Sequence, residues 1–149
     1  MKSLNLLGLT DKIKNQVLVK KKRILGICLG MQLFAEYSEE GNIINGLSLI
    51  PGKVLDLKKK INLRVPHIGW NSIEIMQDSK LFKNIGSNQD FYFVHRYFYE
   101  CKQEYKISTT NYGLNFTSAI QMDNIYGVQF HPERSHNIGI RLLKNFLTI

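Results

Sequence analysis

Apolar and polar positions change their spacing along this chain, and each change marks an element. Met1–Lys22 reads as helical. Ile13 and Val17 stand four apart on one face, and Thr10 is placed to cap Asp11–Lys20. The Lys20–Lys22 run suits the negative end of that helix. Arg23–Ile27 is apolar at nearly every position, which predicts a strand covered on both faces, as in the interior of a parallel sheet. Helical spacing returns over Leu29–Glu39, with Met31, Leu33, Phe34 and Tyr37 on the apolar side.

Beyond Gly41 the pattern becomes strand-like. Ile50-Pro51-Gly52 predicts a turn and Lys53–Leu57 a short strand. Val65–Asn71 carries a Pro and a Gly, so it predicts a bent or edge strand running into Ser72–Ile75. Ser79–Asn84 fits a helical turn. Phe91–His95, Arg96–Glu100, Ile107–Thr110, Thr117–Gln121 and Ile125–Phe130 predict further strands, with Asn111-Tyr112-Gly113 as a turn. A last helix over Asn137–Leu147 places Ile138, Leu142 and Phe146 on one face. The order predicts a single α/β domain over residues 1–149, with helices flanking a mixed sheet.

Composition narrows the class. The chain is 44% hydrophobic and 21% charged, ordinary for a globular protein, and no apolar run approaches a membrane span. Two cysteines make no disulfide framework, so a reducing, cytoplasmic setting is expected. The net charge of +8 raises nucleic acid as a partner. The basic runs Lys20–Arg23 and Lys58–Lys60 fall between apolar segments, and no aromatics interleave them, so they read as solvated surface. The expectation is neither a nucleic-acid nor a membrane partner.

One stretch carries candidate chemistry. Gly26 and Gly30 flank Cys28 at i−2 and i+2, between a strand and a helix. This G-x-C-x-G pattern is the thiol counterpart of a nucleophile elbow. The turn is tight, and a Cβ at either glycine is expected to collide with the neighbouring strand or helix. A helix N-terminus at the sulfur favours the thiolate, and the Leu29 amide lies where it could donate to an oxyanion. The alternative is a buried structural cysteine in a βα turn.

A nucleophilic Cys28 needs a base, and the base needs an orienting group. Among four histidines, His131 directly follows an apolar strand, at the strand end where open α/β sheets bind ligands. Residues two apart in an extended segment point the same way, so Glu133 can reach back to His131, with Pro132 holding the segment extended. His67 reads as a surface or interface residue, His95 as packing beside a site, and His136 as exposed. Cys101 reads as structural. No cluster has metal-ligand spacing, so no metal and no cofactor are expected.

These residues match a known pattern. Leu25–Leu33, Gly46-Leu47 through Val54, Val65–Asn71, Tyr92–His95, Tyr112-Gly113, Gly127–Ser135 and Gly139–Phe146 together resemble the class I glutamine amidotransferases. The Pro-His-x-Gly-Trp-Asn segment narrows the resemblance to the glutaminase subunits of imidazole glycerol phosphate synthase, in histidine biosynthesis. The resemblance implies a flavodoxin-like fold and a Cys28–His131–Glu133 triad that hydrolyses glutamine to glutamate and ammonia. It implies that the Leu29 N–H serves an oxyanion hole, and that Gln32 and the backbone around Arg96 and Tyr97 frame the bound glutamine. It also implies a heterodimer with a (β/α)8 cyclase that makes imidazole glycerol phosphate and AICAR, met through Ile68, Trp70 and Asn71.

Two departures stand out. Arg96 replaces the small serine usual in such sequences. The strands, helix and glycine-rich loop that usually precede the first helix are absent, so the sequence reads as an N-terminally truncated member lacking the first strands. Two other readings remain: a related amidotransferase feeding ammonia to surface-sugar biosynthesis, and an inactive fragment or docking module.

Overall fold

The computed structural model describes residues 1–149. The chain opens with two short helices, α1 (Lys2–Leu6) and α2 (Leu9–Lys14), the latter continuing as a π-helical turn through Val19. Gly8, in the left-handed conformation, begins α2, so Thr10 is not its cap. The Thr10 hydroxyl instead donates to Asn5 Oδ1 at 2.6 Å. Val17 is buried, with Ile13 packed beside it.

Ten strands follow: β1 (Ile24–Ile27), β2 (Tyr37–Ser38), β3 (Ile44–Asn45), β4 (Lys53–Asp56), β5 (His67–Ile75), β6 (Gln89–His95), β7 (Tyr97–Glu100), β8 (Lys106–Asn111), β9 (Asn115–Met122) and β10 (Ile125–Val128). They form one mixed sheet in the order β3-β2-β4-β7-β9-β8-β5-β6, with β10 joined to β9 and β1 to β10. Only β1–β10 and β2–β4 run parallel. The expected strands are all present, with ends moved by a few residues.

Two expectations change. Within these residues β1 pairs along one edge only, with β10, and Ile24, Leu25 and Ile27 are half-buried. The helix expected over Leu29–Glu39 ends after one turn, as α3 (Leu29–Gln32). The cause is a crossing segment. The amides of Leu47, Ser48 and Leu49 bind the carbonyls of Leu33, Ala35 and Phe34, which a longer helix would need for itself.

Two clusters fill the core. The larger joins Phe91, Phe93, Phe116 and Phe130 to Leu142 of α4 (His136–Thr148). The smaller packs Val17, Met31, Phe34 and Ile50 against Val54 and Ile120. Gly139 sets how closely α4 approaches the chain after β10. A Cβ there would run into the Pro132 carbonyl, so only glycine lets the helix press on the segment that carries His131.

Candidate active site

Parallel pairing puts the two chemical groups at one sheet edge. Ile27 of β1 lies opposite Val128 of β10, and the Cys28 amide donates to the Val128 carbonyl at 2.7 Å. Cys28 and His131 therefore both leave the carboxyl ends of neighbouring strands. β6 runs beside both: the His131 amide donates to Tyr92 O at 2.8 Å, and Cys28 Sγ lies 3.9 Å from Val94 O.

Cys28 sits at φ +48°, ψ −103°, a conformation that L-residues avoid and that costs on the order of 1–3 kcal/mol. A Cβ on Gly26 would lie 2.6 Å from the Gly30 carbonyl carbon and the Met31 nitrogen, so Gly26 is required by close approach. Gly30 has open space where its Cβ would stand, so the collision expected there does not occur. With α3 only one turn long, little of a helix dipole acts on the sulfur. Burial pushes the Cys28 thiol up, and the charge of Glu133 adds to this. Hydrogen bonds from the Leu29 amide and from Gln129 act the other way without cancelling the rise. The resting group is a thiol and needs a base.

His131 fits that need. Its Nδ1 lies 2.6 Å from Glu133 Oε1. A carboxylate accepts, so Nδ1 carries the proton and Nε2 presents a lone pair. That Nε2 is buried and has no partner. A buried, unused acceptor is costly, and this one is free to take a proton. The backbone is pinned as well: the Ser135 hydroxyl donates to His131 O at 2.6 Å and accepts from the Tyr92 amide at 3.0 Å.

Leu29 and Gln32 line a cavity of about 290 Å³ beside the elbow, together with Glu40, Ser38, Asn45 and Leu4. Cys28, His131 and Tyr97 do not line this cavity; the Tyr97 carbonyl accepts from Nε2 of the wall residue Gln32 at 2.9 Å. Arg96 turns its guanidinium to Asp56, at 2.7 and 3.1 Å, and is not part of the cavity wall. That ion pair holds the Asp56 carboxyl below the usual range.

The remaining expected site residues divide. Ile68 and Trp70 are exposed on β5, and Asn71 is half-buried beside them. Trp70 stacks on His136 at 4.9 Å, so the exposed His136 has an aromatic neighbour. His67 is not at the surface of the chain. It is buried, stacked between Phe93 and Tyr112 at 4.9 and 4.1 Å. Cys101 is half-buried, and burial pushes its thiol to about 11. No three His, Cys, Asp or Glu side chains converge on a point that would hold a metal. No helix is long and apolar enough to cross a membrane. Lys20–Lys22 and Lys58–Lys60 are exposed. Sequence reasoning missed Gln129, Ser135 and Glu40. Gln129 stands two before His131 in the same extended run, a spacing that places it on the same side.

A strained cysteine elbow, a tautomer-fixed histidine and a mixed sheet define a class, and comparison agrees with it. The family Glutamine amidotransferase class-I matches residues 5–149. The chain belongs to the class I glutamine amidotransferases, a family of enzymes. Within it, the chain is 46% identical over all 149 residues to imidazole glycerol phosphate synthase subunit HisH 1 of Campylobacter jejuni, covering 74% of that protein. It is 55% identical over 138 residues to subunit HisH of Buchnera aphidicola, covering 93% of this chain and 69% of that one. Among solved structures, a glutamine amidotransferase superposes with a TM-score of 0.73 at 16% identity, over 99% of this chain and 70% of that one. A Thermotoga maritima glutamine amidotransferase gives 0.66 at 19% identity, over 99% of this chain and 56% of that one. At such identities these two structures bear on the fold alone.

Proposed function

We propose that this chain is the glutaminase subunit of an imidazole glycerol phosphate synthase in histidine biosynthesis, and that Cys28, His131 and Glu133 form its triad. What supports the triad is the unpartnered, buried Nε2 of His131, which follows the strand paired with that of Cys28, whose thiol burial keeps protonated. The relatives that match the full chain carry the name of that subunit, which favours this pathway over surface-sugar synthesis.

In this reading the Cys28 thiol gives its proton to His131 Nε2 as sulfur attacks the side-chain carbonyl carbon of glutamine. The tetrahedral oxyanion accepts from the Leu29 amide, which already points at the sulfur. His131 returns the proton to the leaving nitrogen, and ammonia departs from a glutamyl thioester. Water, deprotonated by the same Nε2, releases glutamate and restores the thiol. Glu133 holds the tautomer throughout and stabilises the imidazolium. Glu40 in the cavity wall suits the α-ammonium of glutamine, and Gln32 its polar groups. The exposed Ile68 and Trp70, with Asn71, offer a face for a (β/α)8 cyclase that receives the ammonia. The setting is the cytoplasm.

The test is glutamate release by the chain mixed with such a cyclase. Cys28→Ala is expected to abolish it; turnover that persists in Cys28→Ala would sink the assignment.

A further inference from the structure

A single acceptor fixes the direction of a whole hydrogen-bond relay. The Tyr97 carbonyl can only accept, and two donors reach it: Gln32 Nε2 at 2.9 Å and His95 Nδ1 at 2.8 Å. Gln32 must therefore turn its amide nitrogen inward. The same nitrogen lies 3.0 Å from Gln129 Oε1. With its oxygen engaged, Gln129 can only present its amide nitrogen to Cys28 Sγ, at 3.5 Å.

The other arm is fixed by the same logic. His95 carries its proton on Nδ1, so its Nε2 is bare and takes a hydrogen bond from His67 Nδ1 at 3.0 Å. His67 Nε2 is then bare too, with the Asn71 amide nitrogen 3.3 Å away. That nitrogen is itself anchored on Asn111 O at 2.9 Å. Gln129, His67 and His95 are all buried, so water does not compete along this path.

We propose that Gln129 is a catalytic residue whose N–H, aimed at Cys28 Sγ, favours the thiolate, and that His95 and His67 are positioning residues that hold this relay through Tyr97. This rests on the reading of Cys28 as the nucleophile. The proton still passes to His131 Nε2; the relay lowers the cost of the charge left on sulfur. The groups around the sulfur are few. The Leu29 amide from α3 and Gln129 favour the thiolate, while Glu133, from the segment after β10, opposes it. From β6, the Val94 carbonyl faces the thiol and His95 is neutral. His131 stands beside Glu133 as the proton acceptor.

The experiment is the pH dependence of iodoacetamide alkylation at Cys28 in the whole chain, with peptide mass spectrometry separating Cys28 from Cys101. Gln129→Leu and Gln129→Met are expected to raise the midpoint by about one unit. The rate at neutral pH should fall about three- to tenfold, less than the thiolate fraction because a more basic sulfur is also more nucleophilic. His95→Leu should move the midpoint the same way by less. A purely structural loss would scale the rate at every pH and leave the midpoint alone, and an unmoved midpoint in both Gln129 variants overturns the proposal. A second measurement needs no variant. Nitrogen-15 NMR of the unaltered chain should find His67 and His95 both protonated on Nδ1; a His95 protonated on Nε2 overturns the relay. Neither readout uses glutamine. A shifted midpoint without any glutamate release would sink the glutaminase reading and leave the relay. Glutamate release with an unmoved midpoint would do the reverse.

Discussion

Glu133 decides which nitrogen of His131 is free, and this is where the chemistry is most sensitive to a single atom. Glu133→Gln puts an amide where a carboxylate held Nδ1–H, and an amide nitrogen turned to Nδ1 would favour the wrong tautomer. We expect the rate of glutamate formation to fall by about 10²–10⁴ in His131→Ala, and by less in Glu133→Gln, with the fold intact by circular dichroism. Equal activity in Glu133→Gln and the parent would remove Glu133 from the triad. The turn at Cys28 and the contact of His131 with Glu133 were legible in the sequence because an elbow and a His-x-Glu run have fixed spacings. His67 was not. Its neighbours Ile68 and Trp70 are exposed, but strand alternation turns His67 inward against Phe93 and Tyr112, which come from distant stretches. The role of Gln129 was equally hidden, since it depends on Gln32 and Tyr97 meeting across the fold.

At the scale of the element, the strand–turn–helix around Cys28 stands on one glycine. Gly26→Ala places a methyl against backbone that cannot move aside, and should cost at least about 1–3 kcal/mol in urea unfolding. Gly30→Ala meets open space and should stay within about 1 kcal/mol of the parent. Equal losses at the two positions would contradict the packing described for the elbow. The pattern of apolar residues foretold the strand before Cys28 and the helix after it. It could not foretell that helix's length. Leu33, Phe34 and Tyr37 continue a helical face, yet Leu47–Leu49 take the carbonyls that the next turn would use, and that competition comes from residues more than ten positions away.

For the whole molecule, two buried imidazoles couple folding to pH. Burial lowers His67 to about 4 and His95 to about 3, from the usual 6.5. Below 6.5 the unfolded chain binds protons on both rings that the folded chain refuses. Stability is therefore full well above 6.5 and is lost as pH falls, toward 4 for His67 and toward 3 for His95. Between pH 7 and pH 5 we expect a loss of about 2–4 kcal/mol, read as a lower urea midpoint; a midpoint that does not move across this interval would mean that the two rings protonate freely in the folded chain. The overall architecture, helices flanking a mixed sheet with Cys28 and His131 at strand ends, was visible from the order of patterns alone. Strand pairing was not, because register depends on partners far apart in sequence. The central claim is that Cys28 and His131 act together on a glutamine amide. Acid quenching of the chain and its cyclase partner during glutamine turnover, followed by intact-protein mass spectrometry, tests it most directly. The account predicts a glutamyl adduct on Cys28 in the parent, none in Cys28→Ala, and a greatly reduced yield in His131→Ala. An adduct on any other residue, or one that forms on Cys28 equally fast without His131, would contradict it.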